Sequence, residues 1–326
     1  MAKQNKNSHL AIFIISSIIL ICGTTAITLN FSVIRDWLIG LNYRPSSEMA
    51  RIRDDLKLTA KGALIFNAAM PELMEKTEFN NLCRETESET AILGCYREDH
   101  VYVYNITDSE LSGIRELTAA HELLHAVYHR MSPSDKEKLT TSISQVYQEN
   151  KTLLGEEIDL YKDAQKQEEL YVRAGTEIKN LPADLESHYR EIFEDQDKIV
   201  DYYESYITVF RELEKTLKNL MTKIEVLEAQ ITVKTSEYES GAEKLNQDIN
   251  KFNECAGTPN CFTSTWTFNS ERNALITRQN ELGKIYEEIN ELITNYNSYV
   301  AEYNENVIHG QALNMTINSS VKVEGL

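Results

Sequence analysis

The sequence predicts a mainly α-helical α+β fold: one N-terminal transmembrane helix, a small β-sheet with a bundle of helices, and a long antiparallel coiled-coil hairpin. Three observations predict it. Only 12 Gly and 5 Pro occur in 326 residues, which suits long helices better than a loop-rich all-β fold. Apolar residues recur at alternating three- and four-residue steps over the C-terminal third, the mark of a heptad seam. The segment His100–Ile106, HVYVYNI, alternates and is rich in Val and Tyr, as a half-buried strand requires.

Residues 1–9 form a short polar tail. No charged residue falls between Leu10 and Leu29, and the uncharged run lasts until Arg35. A helix of about 20 residues rises about 30 Å, enough to cross a hydrocarbon core. Residues 10–34 therefore read as an uncleaved anchor, because a cleaved signal has an apolar core of only about 7–15 residues. Cleavage after Ala26 is the competing reading. A lipoprotein signal is weaker, since Ile21 precedes Cys22 where a small residue is needed.

Residues 35–56 read as a link with a helix after Pro45. Residues 60–110 read as a small sheet with a helix inside it. There Ala63–Ala68 is a short apolar run closed by Pro71, Pro71–Cys83 has helical spacing, and Ala91–Tyr96 and His100–Ile106 read as strands. Asp108 or Ser109 can cap the next helix. That helix is read over residues 113–131, GIRELTAAHELLHAVYHRM, and stops at Ser132-Pro133. Residues 134–205 continue as helices broken at Leu181-Pro182.

In residues 206–308 a seam runs from Phe210 through Leu213, Leu217, Leu220, Ile224, Leu227 and Ile231, and more weakly to Phe252. After a break at 254–268 a second seam runs from Leu275 through Leu282, Ile289, Leu292, Tyr296, Val300 and Tyr303 to Val307. Two seams of similar length joined by a short turn predict an antiparallel hairpin. Tyr286, Tyr296, Tyr299 and Tyr303 read as seam packing rather than as a binding face. Residues 309–326 are a polar tail with no assigned role.

Lys3 and Lys6 precede the anchor and Arg35 and Arg44 follow it, so charge leaves its orientation nearly tied. The cysteines break the tie. Cys83 and Cys95 form one local pair, Cys255 and Cys261 another, and two such pairs read as disulfides in an oxidising compartment. A four-cysteine zinc site competes, but the CxxC steps are missing. The expectation is a single-pass cell-membrane protein whose body is extracytoplasmic. The net charge of −18 and the lack of a basic stripe argue against nucleic acid as a partner.

The chemistry lies in His121-Glu122-Leu123-Leu124-His125. Residues four apart share a helix face, so both imidazoles can reach one Zn2+ at about 2.0–2.1 Å. Glu122, one step round the helix, is placed to accept a proton from water. Ala119, Ala120, Leu123, Leu124, Ala126 and Val127 are uncharged and predict burial of the other faces. The strand at 100–106 is expected to offer an edge to an extended peptide.

TAAHELLHAV, Thr118 to Val127, looks like the extended zincin consensus. A metzincin would have its third His where Met131 stands and Gly where Tyr128 stands. The resemblance therefore points to gluzincins, whose third ligand is a Glu on a later helix. LGCY, the HELLH helix and TEIKNLPADLESHYREIF are similar to a group of uncharacterised membrane-anchored bacterial proteins, over residues 35–210. The resemblance implies that residues 35–205 are a zincin-like catalytic domain that hydrolyses a peptide or protein substrate. Its third ligand must come from Glu156, Glu157, Glu168, Glu169, Glu177 or Glu186. Glu169 is favoured because a small-residue stretch follows it, with Glu177 and Glu168 open because Arg173 stands where related peptidases have Asp.

His188 is the first choice as donor to the oxyanion, with Tyr189, Tyr161 and Tyr171 open. His129 is either a support for the ligands or simply exposed. Two rival readings stand beside hydrolysis. One is an inactive zinc scaffold whose hairpin binds an envelope partner or a second copy of the chain. The other is a spacer with no metal.

Overall fold

The computed structural model describes residues 31–83, 92–155, 158, 159 and 161–318. The predicted anchor at 10–34 lies outside the described residues except for its last four. No described helix is long and apolar enough to cross a membrane.

Helix α1 (Phe31–Asn42) precedes α2 (Ser47–Asp55) and α3 (Ala60–Ala68). Ser46 starts α2 by accepting a hydrogen bond from the Met49 amide at 3.1 Å, the preferred N-cap chemistry. The apolar run Ala63–Ala68 is helical and forms no part of the sheet. Thr59 caps it at the Gly62 amide, and Ile65, Phe66 and Ala68 are buried. Such a short run, buried on most sides, carries no period that separates helix from strand.

The helix expected over Pro71–Cys83 divides. Its first part is strand β1 (Glu72–Met74), and α4 occupies Lys76–Cys83. Two further strands come next, β2 (Gly94–Arg97) and β3 (His100–Tyr104). The sheet order is β1-β3-β2, with β1 parallel to β3 and β2 antiparallel to it. Pairing with β3, Leu73 against Val103, overrides the local helical spacing. It also makes β3 the central strand, so the edge expected at 100–106 belongs to β2.

β3 alternates as its sequence requires. Val101 and Val103 are buried against the helix α5 (Ile114–Arg130). Tyr102 and Tyr104 turn the other way, onto Phe79 and the Cys83–Cys95 disulfide, which ties the end of α4 to β2. Asp108 caps a short 3-10 turn (Ser109–Leu111) before α5. Ser132 and Pro133 end α5 and start α6 (Pro133–Glu149), with Pro at the first helical position. A short α7 (Lys151–Leu154), α8 (Asp163–Glu177) and α9 (Ala183–Tyr189) complete this run of helices. Ala119, Ala120, Leu123, Leu124, Ala126 and Val127 of α5 are 0–2% exposed. Each of its buried leucines contributes about 1.5–3 kcal/mol to holding α5 in place.

The chain forms two compact units, one running to Val209 and taking up again at Leu313, the other being Phe210–Ala312. The long helices α10 (Gln196–Ala256) and α11 (Thr265–Ile317) form the hairpin within the second. Its pairing is antiparallel: Leu213 meets Gly310, Lys223 meets Tyr299, Lys234 pairs Glu288 at 2.8 Å, and Asp248 pairs Arg278 at 2.7 Å. Every seam position is half-buried or buried, with Leu220, Leu245 and Ile289 below 8% exposure. Tyr296, Tyr299 and Tyr303 are half-buried, whereas Tyr286 is exposed with one face on Tyr238. The Cys255–Cys261 disulfide closes the tip. The tail expected from 309 is helical to Ile317, and Leu313 and Ile317 are buried.

One buried ion pair ties α1 to the end of α5. Arg130 donates from Nε to Asp36 Oδ2 at 2.7 Å and from Nη2 to Oδ1 at 3.3 Å, and the Asp36 side chain is 5% exposed. Asp36→Ala strands the guanidinium and is expected to cost about 3 kcal/mol, the low end for breaking a buried pair, because the Tyr96 hydroxyl and Ala126 carbonyl still accept from Arg130. Urea unfolding of the variant against wild type measures it.

Candidate metal centre

His121 and His125 stand one turn apart on α5 with ring centroids 5.1 Å apart. The third group comes from α8. Glu169 places Oε1 3.7 Å from His121 Nε2 and Oε2 3.5 Å from His125 Nε2. These spacings are too long for hydrogen bonds. They lie within or just above the separation of about 3.3–3.6 Å between two donors each about 2.0–2.2 Å from one tetrahedral ion. One atom from each residue lies within 4.8 Å of the other two, so the cluster is fit to hold a metal ion. Glu169 is 5% exposed, and its Oε1 is buried with no hydrogen-bond partner. A buried carboxylate oxygen without a donor is costly, and a cation removes the cost.

α8 reaches α5 this closely because its inner residues are small where the helices meet. A Cβ at Gly175 would stand 2.6 Å from Leu124 Cδ1 and 2.7 Å from Tyr189 Cε1. The predicted packing of Tyr171, Val172, Ala174 and Gly175 against the HELLH helix is thus observed, with all four buried.

The alternatives for the third ligand fall elsewhere. Glu168 accepts from His125 Nδ1 at 2.8 Å and lies 3.0 Å from His129 Nε2. It therefore fixes the His125 ring with Nε2 directed at the cluster, the usual support for a metal-binding imidazole. His129 is both exposed, at 55%, and a partner of that support. Glu177 is held by Arg173 through a two-point contact at 2.8 and 3.0 Å. Glu186 pairs with Arg190, and Glu156 and Glu157 lie outside the described residues.

Electrostatics follow the geometry. Burial drives His121 down to about 4, against the pull of Glu169. For His125 burial works downward, but Glu168 and Glu169 outweigh it and raise the imidazole well above its usual range. Burial opposes ionisation of Glu169 too, yet His121 and His125 hold it down at about 2.

Glu122 is 3% exposed beside the cluster. Gly94 of β2 makes room for it: a Cβ there would lie 2.6 Å from Glu122 Oε1 and 2.6 Å from Thr118 Cγ2. Reading motifs alone overlooks the role of Gly94, although a glycine inside a strand pattern signals a close approach. The cleft over the cluster has a volume of about 360 Å³ and is walled by Leu93 and Gly94, by Leu153 to Gly155, and by Tyr203, Tyr206 and Ile207 of α10.

His188 does not join this cleft. Its Nε2 lies 2.9 Å from the Tyr171 hydroxyl, and it lines a separate cavity with Val127, Arg130 and Lys61. Tyr189 donates to the Tyr171 carbonyl, both tyrosines are fully buried, and Tyr161 packs against the core. Tyr203 and Tyr206, which do reach the cleft, sit near the start of α10 ahead of the seam, where no motif marks them. No protein-family model, curated protein or solved structure matches the chain.

Metal content by elemental analysis tests the cluster. Wild type should hold one equivalent of metal, and His121→Ala, His125→Ala and Glu169→Ala should lose it. Glu168→Gln should keep it with affinity weaker by about 10–100-fold, since it removes only the support. Glu177→Gln should leave affinity unchanged.

Proposed function

We propose that the chain is a zinc-dependent metallopeptidase of gluzincin type, held at a membrane by residues 10–34 with its body outside the cytoplasm. The observation that carries this reading is the Glu169 carboxylate. It arrives from a later helix, with an unpartnered buried oxygen, at the two imidazoles of the HELLH turn. Two imidazoles and one carboxylate make a borderline donor set that suits Zn2+ and leaves a position open for water or substrate. When bound, Zn2+ would lower the pKa of its water to about 7 and polarise a carbonyl.

The chain's own residues supply the rest. Glu122 would take a proton at its carboxylate from the attacking water and deliver it to the leaving amine. Gly94 and the buried α5 fix where that carboxylate stands. Strand β2 offers the docking edge. Tyr104 N donates to Leu93 O at 2.8 Å, so in this register Gly94 and Tyr96 turn their N–H and C=O away from β3. An extended peptide can pair with that edge by strand addition, beside Glu122. The extracytoplasmic placement is supported by the two disulfides, which persist in oxidising compartments.

Fluorogenic casein hydrolysed by zinc-loaded protein tests the reading. Glu122→Gln is expected to lower the rate by about 10²–10⁴-fold with zinc content and fold unchanged. Equal rates for this variant and wild type would sink the proposal. Gly94→Ala is expected to retain zinc but lose most of the rate, because its methyl group displaces Glu122; a full rate would show that the close approach has no catalytic role.

A further inference from the structure

The end of the hairpin has a chemistry that hydrolysis does not use. Between Glu254 and Glu271 lies no charged residue, in a chain whose composition is 26% charged and whose net charge is −18. The segment is rigidly built. Cys255 and Cys261 are bonded. Phe252, Phe262 and Phe268 pack on one another with ring centroids 5.1–5.2 Å apart. A reciprocal cap fixes the first turn of α11: Thr267 N donates to Ser264 Oγ at 3.2 Å, and Ser264 N to Thr267 Oγ1 at 3.1 Å. Trp266 sits inside that turn and is 76% exposed.

A single exposed apolar residue is ordinary. Here, however, three phenylalanines within the same tip shield each other while the largest ring of the segment is left outside. Its backbone is fixed by the cap, so the indole is presented outward rather than folded in. An indole combines an apolar body with one N–H donor, which suits the boundary between headgroups and acyl chains. The surrounding Thr258, Asn260, Thr263, Thr265 and Asn269 can exchange hydrogen bonds with headgroups and interfacial water. With no Asp, Glu, Lys or Arg on the segment, approach to a low-dielectric layer leaves no charge to desolvate. The absence of basic residues also removes the usual attraction to anionic lipid, and the acidic chain is repelled by it.

We propose that the stapled tip is a lipid-contacting site, with Trp266 seated in the headgroup layer of a zwitterionic bilayer. The contact is independent of the metal centre. It gives the hairpin a weak second hold on a lipid surface, added to whatever else retains the chain there.

The full chain carrying Trp37→Phe keeps Trp266 as its only indole. This protein is mixed with phosphatidylcholine vesicles whose acyl chains are brominated, and is separately reconstituted into them. Loss of Trp266 emission by bromine quenching, with a blue shift, is expected in one arm or both. Replacing part of the lipid with phosphatidylglycerol should weaken it. The control moves the indole to the exposed middle of α10, as Val233→Trp with Trp37→Phe and Trp266→Phe. That indole should stay unquenched. No quenching of Trp266 in either arm, or equal quenching at both positions, overturns the proposal. Circular dichroism of both variants verifies that the hairpin is intact.

Discussion

A carboxylate buried between two imidazoles is the constraint on which the rest of the first unit depends. Burial of Glu169 disfavours its charge, and the two rings, with Arg173 farther out, offset that cost. Holding the group there requires α8 to lie hard against α5, which in turn requires Gly175 at the contact with Leu124 and Tyr189. Tyr128, Tyr171 and Tyr189 fill the space behind, with neighbouring ring centroids 5.2–5.3 Å apart. The same approach brings Glu168 onto His125 Nδ1. One helix contact thus supplies a carboxylate able to hold a metal ion and the support for one of the two imidazoles.

The sheet serves the opposite side of the same helix. Val101 and Val103 bury its other flank, and β2 comes so near that only a glycine fits against Glu122. A site built on helices and paired strands holds its groups more precisely than one built on loops. The disulfide between Cys83 and Cys95 lies on the far face of that sheet and ties β2 to α4. Arg173 extends the order outward, donating to the Leu154 carbonyl as well as to Glu177, so one cleft wall is tied to the helix that bears Glu169.

The hairpin obeys a simpler logic. Its half-buried seam and cross-helix pairs such as Lys234 with Glu288 give an antiparallel pair of helices a defined register. Tyr203, Tyr206 and Ile207 precede the seam on the same helix and line the cleft over the candidate metal cluster instead.

By itself the sequence determined whatever depends on local period. The HELLH turn, the alternation of β3 and the two hairpin seams rest on residues close in the chain, whose geometry a helix or strand repeat dictates, and the two cysteine pairs are likewise local. Tertiary structure alone decided the groups that meet across the fold. Glu168 and Glu169 are adjacent on one helix and point about 100° apart. Which of them meets the Nε2 atoms of both imidazoles and which meets only His125 Nδ1 and His129 is set by how α8 rolls against α5, and no local pattern encodes that roll. The same holds for His188, one candidate donor among several in the chain, which the packing of α9 turns toward Tyr171 and away from the cleft. It holds as well for β1, whose helical spacing yields to a neighbour that it meets only in the folded sheet.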